Sequence, residues 1–174
     1  MGVLIRPIEK TDNPVIAELI RMVFREFQLS QTGTVYSDPT TDRLYELFQN
    51  PSAQYCVAEL DNVILGGCGF FPTNGLPAGC AEIVKFYLSP DARGKGTGKL
   101  LMQRAIDSAK KMGYDRLYLE TFPELATTIS MYEKAGFKHL KYSLGNSGHF
   151  ACTIWMIKNL VNINAGEMNE IITK

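Results

Sequence analysis

Arg93-Gly94-Lys95-Gly96-Thr97-Gly98-Lys99 is the segment of this 174-residue chain best equipped for chemistry. Glycines at alternate positions let a backbone turn sharply and bring its N–H groups against a ligand. A helix that starts inside the segment adds unpaired N–H donors and the positive end of its dipole. With the cationic side chains of Arg93, Lys95 and Lys99, that combination suits a pyrophosphate. Two other phosphate loops do not fit. The nucleotide P-loop, aligned on Gly98-Lys99, would put Arg93 at its first glycine and Leu100 at its hydroxyl position. The dinucleotide fingerprint Gly-x-Gly-x-x-Gly, begun at Gly94, needs glycine where Lys99 stands. A glycine-rich solvent loop and a nucleotide-binding loop stay open as alternatives.

Composition removes other functions. Lys plus Arg and Asp plus Glu number 18 each, so the formal charge is zero. A protein that neutralises many phosphates carries a basic excess, so nucleic acid is not expected as the partner. No apolar run approaches the roughly 20 residues of a membrane span, and no membrane partner is expected. The start, Met1-Gly2-Val3-Leu4-Ile5-Arg6, lacks the pattern of a secretion signal, and Arg6 stands where myristoylation wants Ser or Thr. Cys56, Cys68, Cys80 and Cys152 form no Cys-x-x-Cys pair, and each sits in an apolar run that reads as a strand. Buried reduced thiols and a cytoplasmic location are expected. With His139 and His149 the only histidines, and no ligand spacing around either, no metal is expected.

The elements that hold the loop can be read from periodicity. Val3 to Arg6 reads as a strand. Thr11-Asp12-Asn13-Pro14 supplies an N-cap and a first-turn proline, and Ile16, Leu19, Ile20, Val23, Phe24 and Phe27 follow at helical spacing. Gln28 to Pro39 reads as a loop, and Thr41 to Phe48 as a short helix. Tyr55 to Leu60 and Val63 to Phe71 flank Asp61-Asn62 as a hairpin. Cys80 to Leu88 is a strand, Thr97 to Met112 a helix capped at Gly113, and Arg116 to Glu120 a strand. Glu124 to Ala135 reads as a helix closed by Gly136, Phe137 to Tyr142 as a strand, and Phe150 to Lys158 as the last strand. The order β-α-α-β-β-β-α-β-α-β-β predicts one α/β domain over 1–174 with a mixed central sheet of about seven strands and flanking helices. Strand–helix–strand units over Cys80–Glu120 and Arg116–Tyr142 are expected to supply its parallel part. The tail 159–174 is left without an assigned structure.

Arg93-Gly94-Lys95-Gly96-Thr97-Gly98 resembles the Arg/Gln-x-x-Gly-x-Gly/Ala signature of the GNAT superfamily, the Gcn5-related N-acetyltransferases. Met131-Tyr132-Glu133-Lys134-Ala135-Gly136-Phe137 is similar to the family's Leu-Tyr-x-x-x-Gly-Phe segment. The likeness runs from about Tyr55 to Phe137. Leu125 departs from it, standing where many members carry an asparagine that contacts the pantetheine arm. Some relatives have an apolar residue there, after a stretch like Leu119-Glu120-Thr121-Phe122-Pro123-Glu124.

The resemblance implies an enzyme: a GNAT-fold acyltransferase that moves the acetyl group of acetyl-coenzyme A (CoA) onto a primary amine by direct attack in a ternary complex. Gly94 to Lys99 with Arg93 would hold the cofactor phosphates, and the backbone of Phe86, Tyr87 and Leu88 its pantetheine amides. Tyr132 takes the family position of the general acid at sulphur. Glu82 lies on the strand that carries the base in the histone acetyltransferase branch. The acceptor, a small molecule, amino acid or peptide amine, would meet Tyr36, Asp38 and His149 on two loops. Two rival functions stay open, a catalytically silent acyl-CoA-binding regulator and a protein or peptide N-acetylase. Homodimers occur in this family, and a homodimer stays open here.

Overall fold

The computed structural model describes residues 2–161. The strands are β1 (Leu4–Pro7), β2 (Gln54–Leu60), β3 (Val63–Phe71), β4 (Cys80–Leu88), β5 (Arg116–Thr121), β6 (Lys138–His139) and β7 (Ile154–Asn159). The helices are α1 (Asn13–Glu26), α2 (Leu44–Leu47), α3 (Thr97–Lys111) and α4 (Ala126–Lys134). The element order is the predicted one. Asp61 and Asn62 both take positive φ, 50° and 64°, the turn that joins tightly twisted antiparallel strands.

All seven strands form one sheet in the order β1-β2-β3-β4-β5-β7-β6. Of the two strand–helix–strand units, only the first gives a parallel pair, β4 with β5. The second does not, because β7 inserts between β5 and β6 and pairs antiparallel with both. Two other strands are shorter than predicted. Pairing of β6 stops after His139, and β7 begins at Ile154, so Leu140 to Thr153 run as a loop that carries Cys152. Apolar composition alone misread that stretch: Tyr142 and Phe150 stand exposed. Among the described residues, no helix is long and apolar enough to cross a membrane.

The sheet is covered on both faces. On one, Leu101, Ala105, Ile106 and Ala109 of α3 pack with Tyr132 and Phe137 over Phe70, Leu117, Leu119 and Met156. On the other, Ile16, Ile20 and Phe24 of α1 pack with Leu44 of α2 over Tyr55 and Val57. At the start of α1, Asp12 is buried and accepts from Arg6 at 2.8 and 3.0 Å instead of capping the helix with its side chain. Asn13 ties α1 to α2: it accepts the Tyr45 N–H and donates to Glu46, each at 2.8 Å.

One irregularity decides where a ligand can enter. Gly67 pairs with Tyr87 and Gly69 with Val84, so Lys85 and Phe86 together oppose Cys68. This is a bulge, and Lys85 takes φ 51° within it. The Tyr55 hydroxyl donates to the Lys85 carbonyl at 2.8 Å and holds the bulge in place. Pairing between β4 and β5 ends at Ile83 and Leu119, while β4 continues to Leu88 and β5 pairs on its other edge with β7 as far as Thr121. Beyond Ile83 the β5-facing edge of β4 therefore has no strand partner among the described residues.

Candidate active site

The opened edge of β4 borders a cleft of about 580 Å³. Phe86, Tyr87 and Leu88 form one wall, Val23 of α1 and Phe27 just after it a second, and residues 124–128 with Met131 a third. Its floor is the glycine loop. Gly94 and Gly96 take φ 72° and 85°, and a Cβ on either would meet no atom, so their backbone faces open space. Gly98 is needed for a different reason: a Cβ there would lie 3.1 Å from Leu88 and 3.4 Å from the Met131 sulphur. The first helical hydrogen bond of α3 runs from the Leu100 N–H to the Gly96 carbonyl at 3.1 Å, leaving the N–H groups of residues 97–99 without helical partners.

These features fit an acyl-coenzyme A. A bare strand edge suits the pantetheine amides, and free N–H groups at a helix start suit the pyrophosphate. Lys99 lines the cleft, Lys95 is exposed beside it and Thr97 is buried beneath it. Arg93 lines the cleft but is engaged elsewhere. Its guanidinium forms a two-point ion pair with Glu26 at 2.6 and 2.8 Å, donates to the Leu88 carbonyl and lies 5.2 Å over the Phe27 ring. Arg93 thus fastens the end of α1 to the loop. Leu125, the departure from the family pattern, lines the cleft as an apolar surface.

At its inner end the cleft meets a chamber of about 50 Å³; Phe86, Tyr87 and Leu125 line both. Glu82, Lys85, Glu120, Tyr132 and His149 reach this chamber from four parts of the chain: β4, β5, α4 and the loop before β7. Glu82 is 4% exposed, and its carboxylate accepts from the Thr73 hydroxyl at 2.5 Å. Burial, with the Glu120 charge adding to it, pushes the Glu82 carboxyl up to about 7. Tyr132 is 5% exposed, its ring 6.0 Å from that of Phe86 and 5.7 Å from that of Phe137. Burial drives its hydroxyl well above the ordinary tyrosine value, which keeps it protonated.

The far wall is a chain of charged groups. The Lys85 ammonium donates to Asp38 and to the Thr41 hydroxyl, each at 3.1 Å. His149 lies 3.5 Å from the same Asp38 oxygen. Burial alone would raise the Asp38 carboxyl, but His149, Lys85 and Thr40 together hold it well below the usual carboxylate range. Burial lowers the Lys85 ammonium in spite of Asp38. Glu120 accepts from Tyr118 at 2.8 Å and from Ser147 at 2.9 Å, and the Ser147 hydroxyl in turn receives the His149 N–H at 3.1 Å.

Of the predicted acceptor residues, Asp38 and His149 meet, His149 in the chamber lining and Asp38 behind it, outside the lining of either cavity. Tyr36 does not; its ring packs 5.8 Å from Phe24 and lines neither cavity. Lys85, Glu120, Thr73 and Ser147 escaped the sequence reading. Lys85 carried a signal, a charge inside the apolar run Ile83-Val84-Lys85-Phe86-Tyr87. Glu120 carried a weaker one. With β4 and β5 parallel and Glu82 opposite Tyr118, it shares the face of Glu82, but only the register shows this.

Residues 19–137, from the middle of α1 to the end of the Tyr132 segment, match the acetyltransferase (GNAT) family. The chain belongs to that family and is an N-acetyltransferase. It is 38% identical over 158 residues to an uncharacterised N-acetyltransferase, YjgM, of Escherichia coli strain K12, covering 90% of this chain and 95% of the relative. The fold is similar to that of an acetyltransferase of the GNAT family from Staphylococcus aureus Mu50, with TM-score 0.78 and 20% identity over 92% of this chain and all of that one. It is also similar to yncA of Salmonella typhimurium, a putative acetyltransferase solved with its cofactor acetyl-CoA, at TM-score 0.72 and 23% identity over 95% and 98% of the two chains.

Proposed function

We propose that this chain transfers the acetyl group of acetyl-CoA to the primary amine of a small molecule, with Glu82 as base and Tyr132 as acid. The observation that carries this reading is the junction of the two cavities. A cleft suited to the pantetheine arm ends where a buried carboxyl near neutrality and a buried, unpaired phenol share one small chamber.

An alkylamine is mostly protonated at pH 7 and must lose a proton to attack. Glu82, ionising at about 7, can take it, directly or through a water. The nitrogen then forms a bond to the thioester carbonyl carbon, and the carbon–sulphur bond breaks. Its electron pair leaves on sulphur, and Tyr132 supplies the proton that makes the free thiol. The second proton that the nitrogen loses as the amide forms returns to the tyrosine oxygen through water. The products are an N-acetyl amine and the thiol of CoA. An N–H on the free edge of residues 86–88 supports the carbonyl oxygen as charge grows on it.

The silent-binder reading is disfavoured because binding needs neither group. A peptide acceptor would present its terminal amine to the same chamber, and comparing peptide with small-amine acceptors separates the two. A cytoplasmic site of action is part of the proposal, supported by the buried free thiols of Cys56, Cys68 and Cys80.

Thiol release from acetyl-CoA, followed across amines, amino acids and polyamines, tests this reading. Acceptor-dependent release that collapses in Tyr132→Phe is expected. Protein that binds acetyl-CoA tightly yet releases thiol with no amine would overturn it in favour of a binder.

A further inference from the structure

The chamber also limits what the acceptor can carry beyond its amine. Its basic side chains are already engaged: Lys85 by Asp38 and Thr41, and His149 by the same Asp38. Its described lining holds no arginine, the side chain best matched to a carboxylate. Two carboxyl groups, Glu82 and Glu120, face it against no free cation. Glu120 has only hydroxyl partners, Tyr118 and Ser147, and forms no ion pair among the described residues.

A cluster of acids can be no more than a solvated surface, but this one has a ligand-facing neighbour. Tyr132, 95% buried, lines the same chamber with a hydroxyl that has no hydrogen-bond partner among the described residues. The hydroxyl is not closed off as Ser89 Oγ and Arg116 Nε are, so it opens to the chamber and can meet a group received there.

Building on the transferase reading above, we propose that the acceptor is a small aliphatic amine with a second cationic group and no carboxylate, and that Glu120 selects it. The two acids then divide the work. Glu82 takes the proton from the reacting nitrogen, while Glu120 pairs with the charge that stays on the substrate. An α-amino acid would bring its carboxylate against Glu82 and Glu120 with no cation to receive it, and like charges at close range oppose binding. Ser147 positions Glu120 and links it to the backbone of His149, so the loop 140–153 holds the selecting group in place.

Three acceptors of equal chain length separate the classes: 1,4-diaminobutane, butylamine and 4-aminobutanoate. The expected order of kcat/KM is diamine, monoamine, amino acid, with each step about tenfold, as suits hydrogen bonds to charged groups. Glu120→Gln should lower the diamine value about tenfold more than the butylamine value, mainly through KM. Ser147→Ala keeps the charge and loosens its support, so it should lower the diamine value more than the butylamine value, by a smaller factor than Glu120→Gln does. Preference for 4-aminobutanoate, equal loss for all acceptors in Glu120→Gln, or no turnover of any of the three by protein that binds acetyl-CoA would overturn the proposed class. Failure to bind acetyl-CoA in calorimetry would overturn the transferase reading itself.

Discussion

The two cavities that meet at Phe86, Tyr87 and Leu125 are made of different materials. The polar features of the cleft are largely backbone: a bare strand edge, glycines facing open space and the first turn of α3. Those of the chamber are largely side chains, acids and bases among them, brought by β4, β5, α4 and two loops. A backbone site tolerates change at most side chains and is sensitive only where a Cβ would intrude. A charged chamber is the reverse, since every group depends on its neighbour for compensation. One half of the enzyme is thus built for a constant ligand and the other for a particular one.

Substitutions can break or sharpen that contrast. The largest effect is expected at Tyr132→Phe, which should lower kcat by about 10²- to 10⁴-fold. Because the hydroxyl has no partner to lose among the described residues, the affinity for acetyl-CoA should stay within about twofold, measured by calorimetry. A matching loss of affinity would show that the tyrosine belongs to the cleft instead. Next comes Lys85→Met, which leaves Asp38 without its buried partner and should cost about 3 kcal/mol in urea unfolding. A neutral result would mean that the chamber wall is not held by charge.

Glu82→Gln should lower the rate by about 10²-fold and change two pH profiles. In the wild type, kcat/KM should fall as pH drops below about 7, because Glu82 becomes protonated there. The variant should lack that limb. Stability moves the other way. Burial raises the carboxyl from 4.5 to about 7, so its stabilising effect is complete below about 4.5 and is lost as pH rises through about 7. The glutamine variant should therefore gain melting temperature relative to wild type at pH 8. An unchanged rate limb would remove Glu82 from the reaction.

The cleft should respond less. Gly98→Val would press on Leu88 and Met131, and a penalty of about 1–2 kcal/mol corresponds to roughly tenfold weaker acetyl-CoA binding. Smallest is Glu26→Gln, which weakens a partly exposed ion pair and should change stability by less than about 1 kcal/mol in thermal unfolding. Its value is diagnostic: it frees Arg93, and tighter binding of acetyl-CoA would show that Glu26 competes with the ligand for that guanidinium.

The same contrast explains what could be read from the sequence. The glycine loop, the Tyr132 segment and the order of elements are local in the chain, and periodicity with turn chemistry is enough to find them. Asp38 and His149 were placed at the acceptor by resemblance, and the structure brings them to one wall. The pairing of Lys85 with Asp38 spans 47 positions and depends on a bulge that no local pattern announces. Glu120 and Ser147 meet because β7 runs between β5 and β6, a crossing the expected second parallel unit did not include. Tyr36 shows the opposite failure, a residue in the correct loop whose ring turns to the core.

The left-handed residue in β4 has a consequence for how this protein can evolve. Position 85 contributes a backbone turn next to the end of the pairing with β5, a carbonyl that receives Tyr55, and an ammonium that anchors the loop of Asp38. Glycine would relieve the positive φ but abandon the anchor; methionine would keep the bulk but abandon the charge; arginine would keep the charge but overfill a site that is 97% enclosed. No single exchange satisfies all three demands. Altering the acceptor by drift is therefore easier at Glu120 and on the loops than at the lysine to which the loop is moored.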